Sequence, residues 1–173
     1  MYCFKFPVLK PITVNIEYYV LDNGLRLLVN RIESPTVGVA IGIGIGSIYE
    51  REDLRGISHF AEHLIYRAYP NIDLEIEGGL GGVSDAYTER TLTMYLFEVI
   101  PSELRNLLRL IHKMFSNRRI DGEDFERERR VILSEIRMRN DDPGTLIYDL
   151  GPRALFGIVT MARQSLVMKR AFP

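Results

Sequence analysis

The chain has 173 residues, 46% of them apolar, with 22 Lys and Arg against 23 Asp and Glu. That length fits one globular domain rather than two full ones, and the balanced charge supplies no field for nucleic acid or a membrane surface. The single cysteine, Cys3, excludes an internal disulfide and agrees with a reducing compartment.

In chain order, residues 1–15 hold two lysines but no apolar h-region and no small-residue cleavage site. Neither a secretory signal nor an Arg- and Ser-rich transit peptide is read there. The longest apolar stretches are too short and too rich in glycine to span a bilayer. A cytoplasmic protein, or an imported one already processed, is expected.

Residues 12–20 alternate, Asp22-Asn23-Gly24 marks a hairpin, and residues 25–29 run back. Residues 36–46 predict a third strand with Val37, Val39, Ile41, Ile43 and Ile45 on one face and only Gly and Ala on the other. The bulky face is expected to enter a core, and the flat one to admit a close neighbour. A helix is predicted over residues 56–68, followed by a short helical piece ending at Gly78-Gly79. Residues 81–87 and 92–100 read as strands. Pro101 begins a helix whose apolar stripe is Leu104, Leu107, Leu108, Ile111 and Phe115. Asp121 caps the next helix, with Asp124 in the capping-box position, and residues 140–144 stop it. After Asp149 there are basic residues but no acid; a ragged, partly helical end is expected there. Strands followed by paired helices, without βαβ alternation, predict an α+β fold, mostly an antiparallel sheet with helices on one face.

The sequence His59-Phe60-Ala61-Glu62-His63 carries the chemistry. At about 100° per residue, His59, Glu62, His63 and Tyr66 gather opposite Ile57, Phe60, Ala61, Leu64 and Ile65. Imidazoles four residues apart project from successive turns and can share one metal. Glu62 lies on the same face, in reach of a metal-held water. The competing reading is a solvated face, but two of the chain's three histidines fall here. His112, the third, reads as a surface or core residue.

A further ligand should be an acid placed where an apolar residue belongs. In the helix after Asp121, the apolar arc of Phe125, Val131, Ile132, Ile136 and Met138 includes Glu128 and Glu135. Buried carboxylates need a cation or strong donors: either a metal, or Arg129 and Arg139. Seven helical residues separate the two Cα atoms by about 10 Å, so one carboxylate coordinates and the other supports. Spacing leaves open which.

Three segments resemble the inverzincin peptidases, the family of pitrilysin, insulin-degrading enzyme and the mitochondrial processing peptidase: residues 56–66 (GISHFAEHLIY), 76–95 (IEGGLGGVSDAYTERTLTMY) and 125–136 (FERERRVILSEI). Their form is nearer the processing-peptidase branch. The resemblance implies that fold and a zinc cofactor held by His59, His63 and Glu135. It also implies Glu62 as general base, Glu128 as the supporting carboxylate, and an edge strand with Gly82, Ser84, Asp85 and Ala86 against extended peptide substrates. The family usually has Asn where this chain has Asp85, and a carboxylate cannot donate the bond an amide would.

The expected activity is therefore zinc-dependent endopeptidase chemistry by metal-activated water. Residues 1–173 are expected to be a single, incomplete N-terminal catalytic domain, lacking the family's second domain and needing a homologous domain or partner subunit. The alternative is a non-catalytic scaffold or peptide-binding subunit. The expected partners include neither nucleic acid nor a membrane.

Overall fold

The computed structural model describes residues 15–67, 72–116 and 120–156. Cys3, the N-terminal segment and the basic positions Arg163, Lys169 and Arg170 lie outside them. The chain divides into two compact units, one ending at Pro35 and one beginning at Thr36.

The first unit is a hairpin. Strand β1 (Ile16–Val20) pairs antiparallel with β2 (Arg26–Asn30) across the Asp22-Asn23-Gly24 turn. Gly24 has φ of +83°, a conformation that favours glycine and explains the turn signal.

The second unit holds a three-stranded antiparallel sheet in the order β3 (Val37–Ile43), β5 (Thr93–Val99), β4 (Val83–Thr88). Val39, Ile41 and Ile43 pack on the core as their alternation predicts, alongside buried Tyr95, Phe97 and Val99 of β5. The small-residue face admits close neighbours at part of its length: a Cβ on Gly42 would stand 3.1 Å from Met94 Sδ and one on Gly46, just past β3, 2.3 Å from Glu89 O, whereas around Gly38 and Gly44 no described residue comes within 4 Å.

Helices cover the other face. They are α1 (Ile57–Arg67), α2 (Ile72–Leu74) running into a π-helical turn (Glu75–Gly79), and α3 (Leu104–Ser116). Ile72, Ile76, Leu107, Leu110, Ile111 and Met114 bury there with Tyr95, Phe97 and Val99. The predicted α3 stripe is rotated in one respect. Leu108 is 50% exposed while Leu110 and Met114 are buried, because the arc centres between Leu107 and Met114 and position 108 lies about 100° round from 107.

Helix α4 (Gly122–Asp141) starts as predicted, with the Asp121 carboxylate accepting from Asp124 N at 2.7 Å. Its inward arc is narrower than expected. Ile132 is fully buried against Phe60 of α1, with Leu64, Phe125 and Ile136 around them, but Val131 and Met138 face solvent. After a break at Asp142, α5 (Pro143–Phe156) follows. Among the described residues no helix is long and apolar enough to cross a membrane.

Candidate metal centre

The seam between α1 and α4 carries the site. Phe60 and Phe125 meet edge to face, with ring centroids 4.8 Å apart. Packing Phe60 against Ile132 turns His59 and His63 toward Glu128 and Glu135, which flank Ile132 about one turn before and one turn after it on α4.

The His59 and His63 Nε2 atoms are 3.2 Å apart, and each lies 3.6 Å from Glu135 Oε2. Four ligands about 2.0–2.1 Å from a tetrahedral zinc would sit roughly 3.3–3.4 Å from one another. A point about 2 Å from all three atoms exists inside this triangle, so the donor set fits zinc in type and spacing. These three residues form the metal-competent cluster found among the described residues.

Glu128 lies beside this cluster rather than within it. It is 3% exposed, and its Oε2 stands 3.2 Å from His63 Nδ1. Were Nε2 to hold a metal, Nδ1 would carry the ring proton and donate a hydrogen bond to Glu128, fixing the ring's tautomer and orientation. Glu128 also approaches Arg127 at 3.4 Å, and Arg129 approaches Glu126 at 3.5 Å.

Glu62 projects from the same helix but takes a different partner. The residue is 6% exposed, and Oε2 accepts from the Thr88 hydroxyl at 2.9 Å. Burial pushes Glu62 above the ordinary carboxylate value, against the Thr88 bond and His63; Glu135 and Asp85 add to the rise. Burial, with His63 and Arg139 nearby, pulls His59 down to about 4, so its ring is neutral at physiological pH. A neutral imidazole is the form that ligates.

Of the expected substrate strand, β4 lies at an edge of its sheet and, among the described residues, pairs only with β5. Ser84 and Ala86 share the helix side with Thr88. Asp85 is exposed, and its Oδ1 accepts from Ala86 N at 2.9 Å. Gly82 precedes the strand, and a Cβ there would stand 2.2 Å from Glu98 O, so glycine is required for close approach to β5.

Sequence reading missed Thr88, although continuing the alternation from Ser84 through Ala86 reaches it. It also missed what Tyr66 does. The Tyr66 hydroxyl is 2.7 Å from both Asp73 Oδ1 and Ser84 Oγ, tying α1 to α2 and β4. Burial first, then the Asp73 carboxylate, push this phenol up to about 12, although its bond to Ser84 favours ionisation. A cavity of about 300 Å³, lined by Glu62, His63, Tyr66, Asp73, Ser84 and Glu135 among others, opens beside the metal ligands.

Comparison with known proteins matches residues 26–166 to the insulinase family, peptidase family M16. The chain belongs to this family. It is 32% identical over 149 residues to the protein named uncharacterized zinc protease YmxG of Bacillus subtilis, covering 82% of this chain and 36% of that protein. It is 31% identical over 135 residues to mitochondrial cytochrome b-c1 complex subunit 1 of Rattus norvegicus, covering 75% and 28%. Among solved structures, a protease from Helicobacter pylori superposes with a TM-score of 0.72 at 27% identity, over 79% of this chain and 34% of that one. An M16-like protein from Alicyclobacillus acidocaldarius, at 23% identity and TM-score 0.79, covers 96% of this chain and 42% of its own, and shares the fold. The chain thus spans little more than a third of the M16 relatives it matches.

Proposed function

We propose that this M16 chain is the metal-binding part of a zinc-dependent endopeptidase that cuts extended peptides. One observation carries the reading: two imidazoles from α1 and a carboxylate from α4 converge at zinc-ligand spacing, with a buried carboxylate, Glu62, one residue from His63.

His59, His63 and Glu135 would hold the ion, and Glu128 would keep the His63 ring in position. Zinc bound there supplies a lowered water pKa and a polarised scissile carbonyl. Glu62 takes the attacking water's proton and returns it to the leaving amine. Thr88 holds Glu62 Oε2, so Oε1 is the oxygen that carries that proton. The elevated affinity of the buried Glu62 for a proton suits both transfers. An extended substrate would add to the open edge of β4, where backbone pairing tolerates varied sequences.

The site works, in this reading, with a homologous half on the same polypeptide or in a partner subunit. The support is the length of the relatives, of which this chain matches about a third. The second reading is a scaffold or peptide-binding subunit, favoured by the likeness to cytochrome b-c1 complex subunit 1. A complete ligand set with Glu62 beside it argues for the enzyme.

Metal analysis separates the two. The purified chain is expected to hold about one zinc, lost in His59→Ala, His63→Ala and Glu135→Ala. A metal-free wild-type chain in zinc-supplemented buffer would turn the reading toward the scaffold. Full zinc occupancy in Glu135→Ala would move the ligand elsewhere, with Glu128 the first candidate.

A further inference from the structure

The loop between β3 and α1 is stitched to the turn that joins β4 to β5. Ser47 N donates to Glu89 O at 3.1 Å, and Ile48 N to Arg90 O at 2.9 Å. The approach is so close that a Cβ on Gly46 would stand 2.3 Å from Glu89 O. The loop then delivers Glu50, whose carboxylate is buried. Its Oε2 accepts from Gly56 N at 2.7 Å and its Oε1 from Ser58 N at 2.8 Å.

Those amides belong to the start of α1, where backbone N–H groups have no intrahelical acceptor. Arg55 and Gly56, at the helix entrance, have no side-chain oxygen with which to cap it. The capping oxygens come instead from a residue eight positions before Ser58. Ser58 immediately precedes His59, so the first metal-facing imidazole leaves the turn that Glu50 holds. The positive end of the α1 dipole also falls in that turn. It opposes a divalent cation on His59, and a buried carboxylate offsets it.

We infer that Glu50 is a positioning residue for the metal centre: by holding the Gly56 and Ser58 amides it sets where α1 begins, and so fixes His59 and His63 opposite Glu135. This rests on the zinc reading above. A cap that merely stabilised the helix would change melting temperature and leave metal affinity alone, so affinity at matched stability is the deciding measurement.

The experiment is a zinc titration of the full chain against a chromophoric chelator, well below its melting temperature. Wild type is compared with Glu50→Gln and with a core truncation, Leu107→Ala or Ile111→Val, chosen to lose as much melting temperature. Glu50→Gln is expected to weaken zinc at least about tenfold, the scale on which supporting groups act, while the core variant keeps wild-type affinity. Should Glu50→Gln not fold, Glu50→Asp, with the charge kept and the reach shortened, takes its place with the same expected loss. Wild-type affinity in the Glu50 variant, or equal weakening in the core control, overturns the inference. Failure of the wild type itself to bind zinc overturns the zinc reading and this inference with it.

Discussion

The Thr88 hydroxyl donates to the Glu62 carboxylate at 2.9 Å, joining strand β4 to helix α1 across 26 residues of sequence. The residue is buried, so this charge-assisted bond fixes Oε2 and, in the proposed mechanism, leaves Oε1 to take the proton. Such bonds are worth about 1.5–3 kcal/mol. Thr88→Val is therefore expected to lower kcat by roughly ten- to a hundredfold with zinc content unchanged, and Thr88→Ser to restore it. Equal activity in Thr88→Val and wild type would remove Thr88 from the mechanism.

Glu62 and Glu128 should fail differently. Glu62→Gln is expected to retain zinc and reduce turnover at least about a hundredfold, the scale of general-base loss. Glu128→Gln is expected to fold and weaken zinc by about 10–100-fold, because His63 loses its carboxylate partner. Chelator competition and single-turnover cleavage of one peptide distinguish the two. Zinc loss in Glu62→Gln would make Glu62 a ligand.

Acid should weaken the metal-free chain through His59. Its folded value, about 4, lies below the ordinary 6.5. Between those values the unfolded chain binds a proton that the folded one refuses. His59 therefore contributes stability present above pH 6.5 and lost as pH falls toward 4. The ring keeps 39% of its side-chain surface open, so only a discounted share of the shift reaches stability. Glu62 has the opposite sign. Its raised value gives stability that is full below 4.5 and lost as pH rises through the folded value. In a Glu62→Gln background, urea midpoints are expected to fall between pH 7 and 5, and adding His59→Gln should shrink that fall.

Turnover should depend on completing the site. Among the described residues β4 has one open edge, and the His59 and Glu135 side chains are 39% and 38% exposed, so in the proposed reaction a scissile carbonyl would stay in water, where electrostatic stabilisation is weaker. Adding a homologous half is expected to raise peptide cleavage far more than it changes zinc affinity. Rapid, concentration-independent cleavage by the 173-residue chain alone would refute this.

The metal face was legible because its residues lie within two turns of one helix, where period 3.6 decides who shares a side. Glu128 and Glu135 were legible as acids within an apolar arc. The arc's width was not: Val131 and Met138 lie at its margin and face solvent, because α1 covers only a strip of α4. Thr88, Asp73 and Glu50 act through tertiary contacts, so local periodicity cannot reveal their partners. Asp85 reads from sequence as a missing donor, whereas its Oδ1 turns back to the neighbouring amide.

Among the described residues, the apolar side chains fully buried between α1 and α4 are Phe60 and Ile132, a small apolar seam for two helices of 11 and 20 residues. A bound ion would act as a rivet through that seam, holding the helices where the apolar side chains alone hold them loosely. A lineage that gave up the chemistry but kept the architecture would have to replace the rivet, by enlarging side chains at the three ligand positions or by drawing another surface across them.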